Sequence, residues 1–128
     1  MKIEVSNGEL VDKIIILEIK NKYITDKNKL KNILKELSEL KKEFLKIDFF
    51  CKKDNLYISL YDVNEKLWQV EDKIREKDNL GEFNEEFIKL AKSVYELNDK
   101  RALIKKEINI VTNSIIVEEK SYKNLLSK

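Results

Sequence analysis

Apolar residues recur at helical spacing along almost the whole chain, and the breaks between these stretches carry capping residues instead of prolines. Ser6-Asn7-Gly8-Glu9 reads as a capping box, in which the Ser6 hydroxyl takes the Glu9 amide and the Glu9 carboxylate returns to the Ser6 amide. A first helix follows to about Lys22, preceded by a short extended stretch over Lys2 to Val5. Thr25-Asp26 offers the next N-cap, after which Leu30, Ile33, Leu37, Leu40, Phe44 and Ile47 recur at alternating steps of three and four, as in a coiled-coil seam. The segment Asp48 to Asn55 interrupts the pattern. A third helix from roughly Leu56 to Asp78 ends at Asn79-Leu80-Gly81, where Gly81 suits a left-handed C-cap. The fourth has Asn84 as N-cap, with Phe83 and Ile88 placed as a hydrophobic staple, and runs from Glu85 to about Val111, about 40 Å at the rise of an α-helix. Ile115-Ile116-Val117, then Tyr122, Leu125 and Leu126, predict a short final helix or an extended arm packed on the bundle.

The expected fold is therefore all-α, one domain over residues 1–128, with four long amphipathic helices arranged as two antiparallel hairpins and a short C-terminal tail. Composition agrees. The 128 residues include 26 Lys+Arg, 24 Asp+Glu, two Gly and no Pro, and 39% are charged against a usual value of about a quarter. Two glycines cannot serve the many tight turns of a β-sandwich or barrel. With no His and a lone Cys51, a zinc cage, a Ser-His-Asp triad and a Cys-His pair are all excluded, and no metal or other cofactor is expected. Cys51, following Phe49-Phe50, reads as a small core residue.

Neither glycine sits in a phosphate-binding loop of the Walker form. Glu36-x-x-Glu39, the obvious carboxylate pair of the second helix, lies off its seam and reads as salt-bridged surface. The start, Met1-Lys2-Ile3-Glu4, has no signal-peptide pattern, and the longest aliphatic run of the first helix, Ile14 to Leu17, is too short to cross a membrane. A soluble cytoplasmic protein is expected. A net charge of +2 gives no field that would make nucleic acid the default partner. It conceals an asymmetry: six lysines and one acid between Lys20 and Lys35, but seven acids against Lys73, Arg75 and Lys77 from Glu71 to Glu86.

Projecting each helix at 100° per residue places ionisable groups on the apolar stripes. Glu18 falls within the face formed by Leu10, Val11, Ile14, Ile15 and Leu17. Asn64, Glu71 and Arg75 flank the third helix's stripe beside Trp68, and Asn98, Arg101 and Lys105 share the fourth helix's face with Val94, Ala102 and Ile108. Charges turned inward must be paired, since an unpaired one costs several kcal/mol. Two readings follow. In one, Glu71 with Arg75 and Glu18 with Arg101 form an internal ion network that sets helix register. In the other, Arg75, Arg101 and Lys105 outnumber Glu18 and Glu71, and with Asn64 and Asn98 they form a site for a phosphate or carboxylate. A cation surplus inside a bundle is similar to the arrangement in chorismate-mutase-like helical enzymes, although that family's helix order and spacing are not reproduced here.

Longer stretches carry a broader likeness. Ile3-Glu4-Val5-Ser6-Asn7-Gly8-Glu9-Leu10-Val11-Asp12-Lys13, Ile16-Leu17-Glu18-Ile19-Lys20, Leu67-Trp68-Gln69-Val70-Glu71-Asp72-Lys73-Ile74-Arg75, Asn98-Asp99-Lys100-Arg101 and Val117-Glu118-Glu119-Lys120-Ser121-Tyr122 resemble a bacterial family of small helical proteins with no assigned reaction. Genes of that family often lie beside those for lipopolysaccharide or other surface-glycan synthesis. The resemblance implies sugar-phosphates and sugar-nucleotides as candidate anions. Where the family tends to place Thr after Asp-Lys-Ile, this chain has Ile15.

Two functional classes stay open: a protein or enzyme that binds a small anion, and a structural adaptor or oligomerisation module acting through helix faces. A homodimer is also expected. The fourth helix is apolar on its reverse side at Leu103 and Ile110, and the first at Ile16 and Tyr23, so each needs a second cover from the tail or from another subunit in symmetric antiparallel pairing.

Overall fold

The structure, a computed structural model, describes residues 1–121. It contains four helices, α1 (Asn7–Tyr23), α2 (Lys27–Phe44), α3 (Asn55–Leu80) and α4 (Glu85–Val111), and they account for 73% of the described residues. No strand occurs among those residues. Short connections join α1 to α2 and α3 to α4 as antiparallel hairpins, and α1 is the hub on which α2, α3 and α4 all pack.

Local chemistry sets the helix ends. Ser6 Oγ accepts from the Glu9 amide (3.0 Å), Asp26 Oδ1 from Lys29 (2.9 Å) and Asn84 Oδ1 from Phe87 (3.1 Å). Asp54 caps α3 by accepting from Leu56 (2.8 Å). Gly81 closes α3 at φ 69°, and Asn113 at φ 52° turns the chain away from α4. The capping box at Ser6 is half formed, because the Glu9 carboxylate is drawn to Lys105 on α4 (2.6 Å). At Asn84 the staple differs too: the Phe83 ring meets Phe87 edge-to-face, 5.2 Å between centroids.

Helix α1 is buried nearly all round, since three helices cover it: Val11, Ile14 and Ile15 are fully inaccessible and Ile19 nearly so. The α2 seam from Leu30 through Phe44 to Ile47 faces this core, leaving the lysines exposed. Phe44, Phe50 and Tyr57 form an edge-to-face cluster that closes the α2–α3 connection. There Cys51 is exposed, contrary to its expected core position, because the turn directs Phe50 inward instead. α1 and α4 approach most closely at Gly8, whose amide donates to Asn109 Oδ1 (2.6 Å). A β-carbon there would lie 3.0 Å from that oxygen and would collide with the Lys105 carbonyl, which is why this position takes glycine.

After Asn113 the tail runs extended, back along α4. Asn109 donates to Glu118 (3.3 Å), Lys106 pairs with Glu119 (2.8 Å) and Lys120 with Asp99 (3.1 Å). It borders α4's reverse side but leaves Leu103 and Ile110 more than half exposed. Tyr122, Leu125 and Leu126 lie outside the described residues. Further along, α3 and α4 outrun α1, and from Trp68 to Glu107 no residue is buried. The ends of this hairpin form an arm beyond the α1 core.

Candidate functional site

The polar centre of the molecule lies where α1 crosses α3 and α4. Asp12, 1% exposed, projects from α1 between them. Asn64 Nδ2 on α3 and Arg101 Nε on α4 both donate to its Oδ1 (2.9 Å each), and Arg101 also pairs with its Oδ2. Lys105, one turn on from Arg101, binds Glu9 Oε2 (2.6 Å) and lies 3.9 Å from Asp12 Oδ2. Two carboxylates thus hold two cations, with an amide completing the coordination of the buried one. Hydrogen bonding to Asp12 holds the Arg101 proton more tightly than usual, against the opposing effect of burial, with help from the charges of Asp12, Glu9 and Glu71.

This arrangement leaves part of Arg101 uncommitted. Its Nε and one terminal nitrogen face Asp12, whereas the other, Nη1, reaches only Asn98 Oδ1 at 3.5 Å, the limit of a hydrogen bond. Two concavities meet at these residues. A cavity of about 240 Å³ has an apolar floor of Ile16, Ile19 and Leu67 and polar walls of Lys20, Asn64, Glu71, Asn98 and Arg101, closed on one side by Trp68. A groove of about 430 Å³ shares Asn98 and Arg101 with it and adds Lys105 and Lys120. Around both, the walls carry four cations against one carboxylate, Glu71. The Trp68 indole N–H is buried without a hydrogen-bond partner, while its ring stacks on Tyr23 at 5.5 Å.

Of the residues selected from sequence, Asn64, Glu71, Asn98 and Arg101 line one cavity and Lys105 the adjoining groove. Arg75 and Glu18 are elsewhere. Arg75 is exposed on the arm, and no ion pair joins it to Glu71. Glu18 does not meet Arg101: it accepts from Tyr57 at the start of α3 (3.0 Å) and pairs with Lys52 of the α2–α3 connection, and the buried Tyr57 hydroxyl is pushed well above the usual phenol range by burial and by that charge. The surplus of Arg75, Arg101 and Lys105 over Glu18 and Glu71 is thus replaced by a balanced core of Asp12, Glu9, Arg101 and Lys105. Arg101 and Lys105 of this core line the two concavities. Sequence reasoning missed Asp12, Glu9, Lys20 and Trp68. The available signal was the line Gly8, Asp12, Ile15, Ile19 at steps of four, three and four, which runs straight down one side of α1.

Other features do not converge in this way. A concavity of about 820 Å³ between the N-terminal segment and the end of α2 is rimmed by lysines and acids in near balance. Among the described residues no cluster of metal-ligating side chains occurs, and no helix is long and apolar enough to cross a membrane.

Fold and site together define an all-α bundle with a charged cavity where three helices meet. The chain belongs to a family of unknown function, DUF6165, whose model matches residues 1–128. No curated protein and no solved structure matches it.

Proposed function

We infer that the protein binds a small anionic molecule in the cavity and groove between α1, α3 and α4. The observation that carries this reading is Arg101, fixed from behind by the buried Asp12 with its remaining edge turned to the place where the two concavities join. A guanidinium oriented in this way meets a phosphate or carboxylate without the entropy cost of ordering a free side chain. Lys20 adds positive charge on the cavity wall, Lys105 and Lys120, paired with Glu9 and Asp99, border the groove, and Asn98 offers an amide. Glu71 supplies an acceptor, suited to a ligand that carries hydroxyls as well as an anion. Sugar-phosphates and sugar-nucleotides, the classes implied by the bacterial glycan-gene resemblance, have that combination; dicarboxylates have only the charge. Such ligands belong to the cytoplasm, where the reading places the protein. Binding, not a reaction, is inferred.

The test is a thermal-shift screen of sugar-phosphates, sugar-nucleotides and dicarboxylates at low salt, on wild type and on Lys20→Gln and Asn98→Ala. Replacing Arg101 would not separate the readings, since unpairing Asp12 destabilises the protein whether or not a ligand binds. A ligand at a hundred times its Kd adds about 2.7 kcal/mol, a shift of several degrees. The shift should appear in wild type and shrink in both variants. No shift with any compound rejects the reading. A second reading, an adaptor with a structural ion network, is favoured by the balanced Asp12–Arg101 and Glu9–Lys105 pairs and by the uncovered α3–α4 arm.

A further inference from the structure

We propose that the arm formed by the end of α3 and the start of α4 is the docking surface for a second copy of this chain, the two arms lying antiparallel about a two-fold axis. Two helices alone cannot cover their apolar faces, and this pair does not: Val70, Ile74, Phe87, Leu90, Val94 and Leu97 are only half-buried. Leu80 and Phe83 stand 62–63% exposed at its end. On the other side of α4 the tail supplies a second cover through Glu118, Glu119 and Lys120, the last of which shares a groove with Val94 and Tyr95, whereas no described tail residue lines the α3–α4 groove that carries Val70 and Leu97.

Charge selects both the occupant and its direction. The tip is acidic: Asp78, Glu82, Glu85 and Glu86 surround Lys77, which binds Glu82 (3.3 Å) and Glu86 (3.2 Å). At the base, a groove of about 320 Å³ between α3 and α4 has Val70 and Leu97 in its wall and Lys66, Lys73 and Lys100 against Glu96 on its rim. Base and tip are about 20 Å apart at the rise of an α-helix. An antiparallel pairing sets each acidic tip on the other copy's basic groove, twice by symmetry, and stacks two hairpins into a four-helix layer. A parallel pairing would set acid on acid. Two helices about 10 Å wide over that length give a small interface, so association should depend on concentration and on salt.

Sedimentation velocity from about 5 to about 200 µM protein, at about 50 mM and about 500 mM salt, tests the proposal. A species at twice the 15.2 kDa monomer mass is expected to grow with concentration and to diminish at high salt. Glu82→Lys with Glu86→Lys, and separately Lys66→Glu with Lys100→Glu, should each be monomeric. Mixed together they should dimerise, because the reversed tip then faces the reversed base and the native tip the native base. Should the lysine tip lower the helical circular dichroism, Glu82→Gln with Glu86→Gln replaces it and should weaken the dimer without abolishing it. A wild type that stays monomeric throughout overturns the proposal. So does a dimer that neither reversal affects, or a mixture that fails to reassociate. The variants leave the ligand reading untouched, since Lys66, Lys100, Glu82 and Glu86 line neither concavity of that site.

Discussion

Replacing Arg101 with Gln removes the only guanidinium from a carboxylate that is 1% exposed. Truncating one partner of a buried ion pair costs about 3–5 kcal/mol, because the remaining charge is stranded in low dielectric. Two features place this case at the lower end. Asn64 still donates to Asp12 Oδ1 at 2.9 Å, and Lys105 Nζ lies 3.9 Å from Oδ2, near enough to swing toward it. A loss of about 3 kcal/mol is expected, a large share of the roughly 5–15 kcal/mol that holds a domain together. Lys105→Gln is the contrasting perturbation. Its partner Glu9 is 28% exposed and can recover water, so the loss should be about 1 kcal/mol or less. Urea unfolding followed by circular dichroism measures both. The double variant Asp12→Asn with Arg101→Gln should be more stable than Arg101→Gln alone, since no charge is then left unpaired. An Arg101→Gln protein within about 1 kcal/mol of wild type, or a double variant worse than both singles, would refute the pairing.

Other consequences follow from the packing and from the titrating groups. Gly8→Ala should cost about 1–3 kcal/mol in the same unfolding assay, through overpacking against the Lys105 carbonyl and Asn109; a neutral substitution would mean that the helices do not approach there. Leu60→Ala, at a fully buried position, should cost about 2–5 kcal/mol by cavity formation. In a spectrophotometric titration of the five tyrosines, Tyr57 and Tyr61 should ionise above the usual phenol range, both chiefly through burial. Their folded-state affinity for the proton exceeds that of the unfolded chain. This contribution to stability is therefore complete below the ordinary tyrosine range and is lost as pH rises from that range through the raised values; five tyrosines titrating together in folded protein would contradict this. Glu65 has the opposite sign: the Tyr23 hydroxyl and then Lys22 hold its carboxyl below the usual carboxylate range. Its contribution is present above that range and lost as pH falls through the lowered value, and Tyr23→Phe should move the acid unfolding midpoint upward.

The helix ends were legible because capping depends on residues within one turn: Ser6, Asp26, Asn84 and Gly81 act where the sequence places them. The α2 seam was legible for a related reason, since that helix packs mainly on α1, with Phe44 alone meeting Tyr57 of α3, and needs one stripe. Asp12 was not. A single-stripe projection assumes one covered side, and α1 is covered by three helices, so the acid between Val11 and Lys13 looked like surface. Glu18 was assigned to Arg101, whereas its partners Lys52 and Tyr57 come from the α2–α3 connection and the start of α3, whose position is fixed only by the tertiary fold. Arg75 was misread for a reason of length. α1 spans 17 residues and α3 spans 26, so the end of α3 carries an amphipathic pattern with no α1 opposite it. A stripe in sequence records a face that requires cover without naming the cover.

The central claim, a small-anion site where Arg101 meets the two concavities, is tested most directly by the fluorescence of Trp68. It is the only tryptophan in the chain and forms one wall of the cavity. Titrating sugar-phosphates and sugar-nucleotides into the protein at low salt should change its emission saturably for at least one compound. That change should weaken at high salt and shift to higher concentration in Lys20→Gln and Asn98→Ala. Emission that stays flat for every compound, or changes identically in wild type and both variants, would contradict the claim.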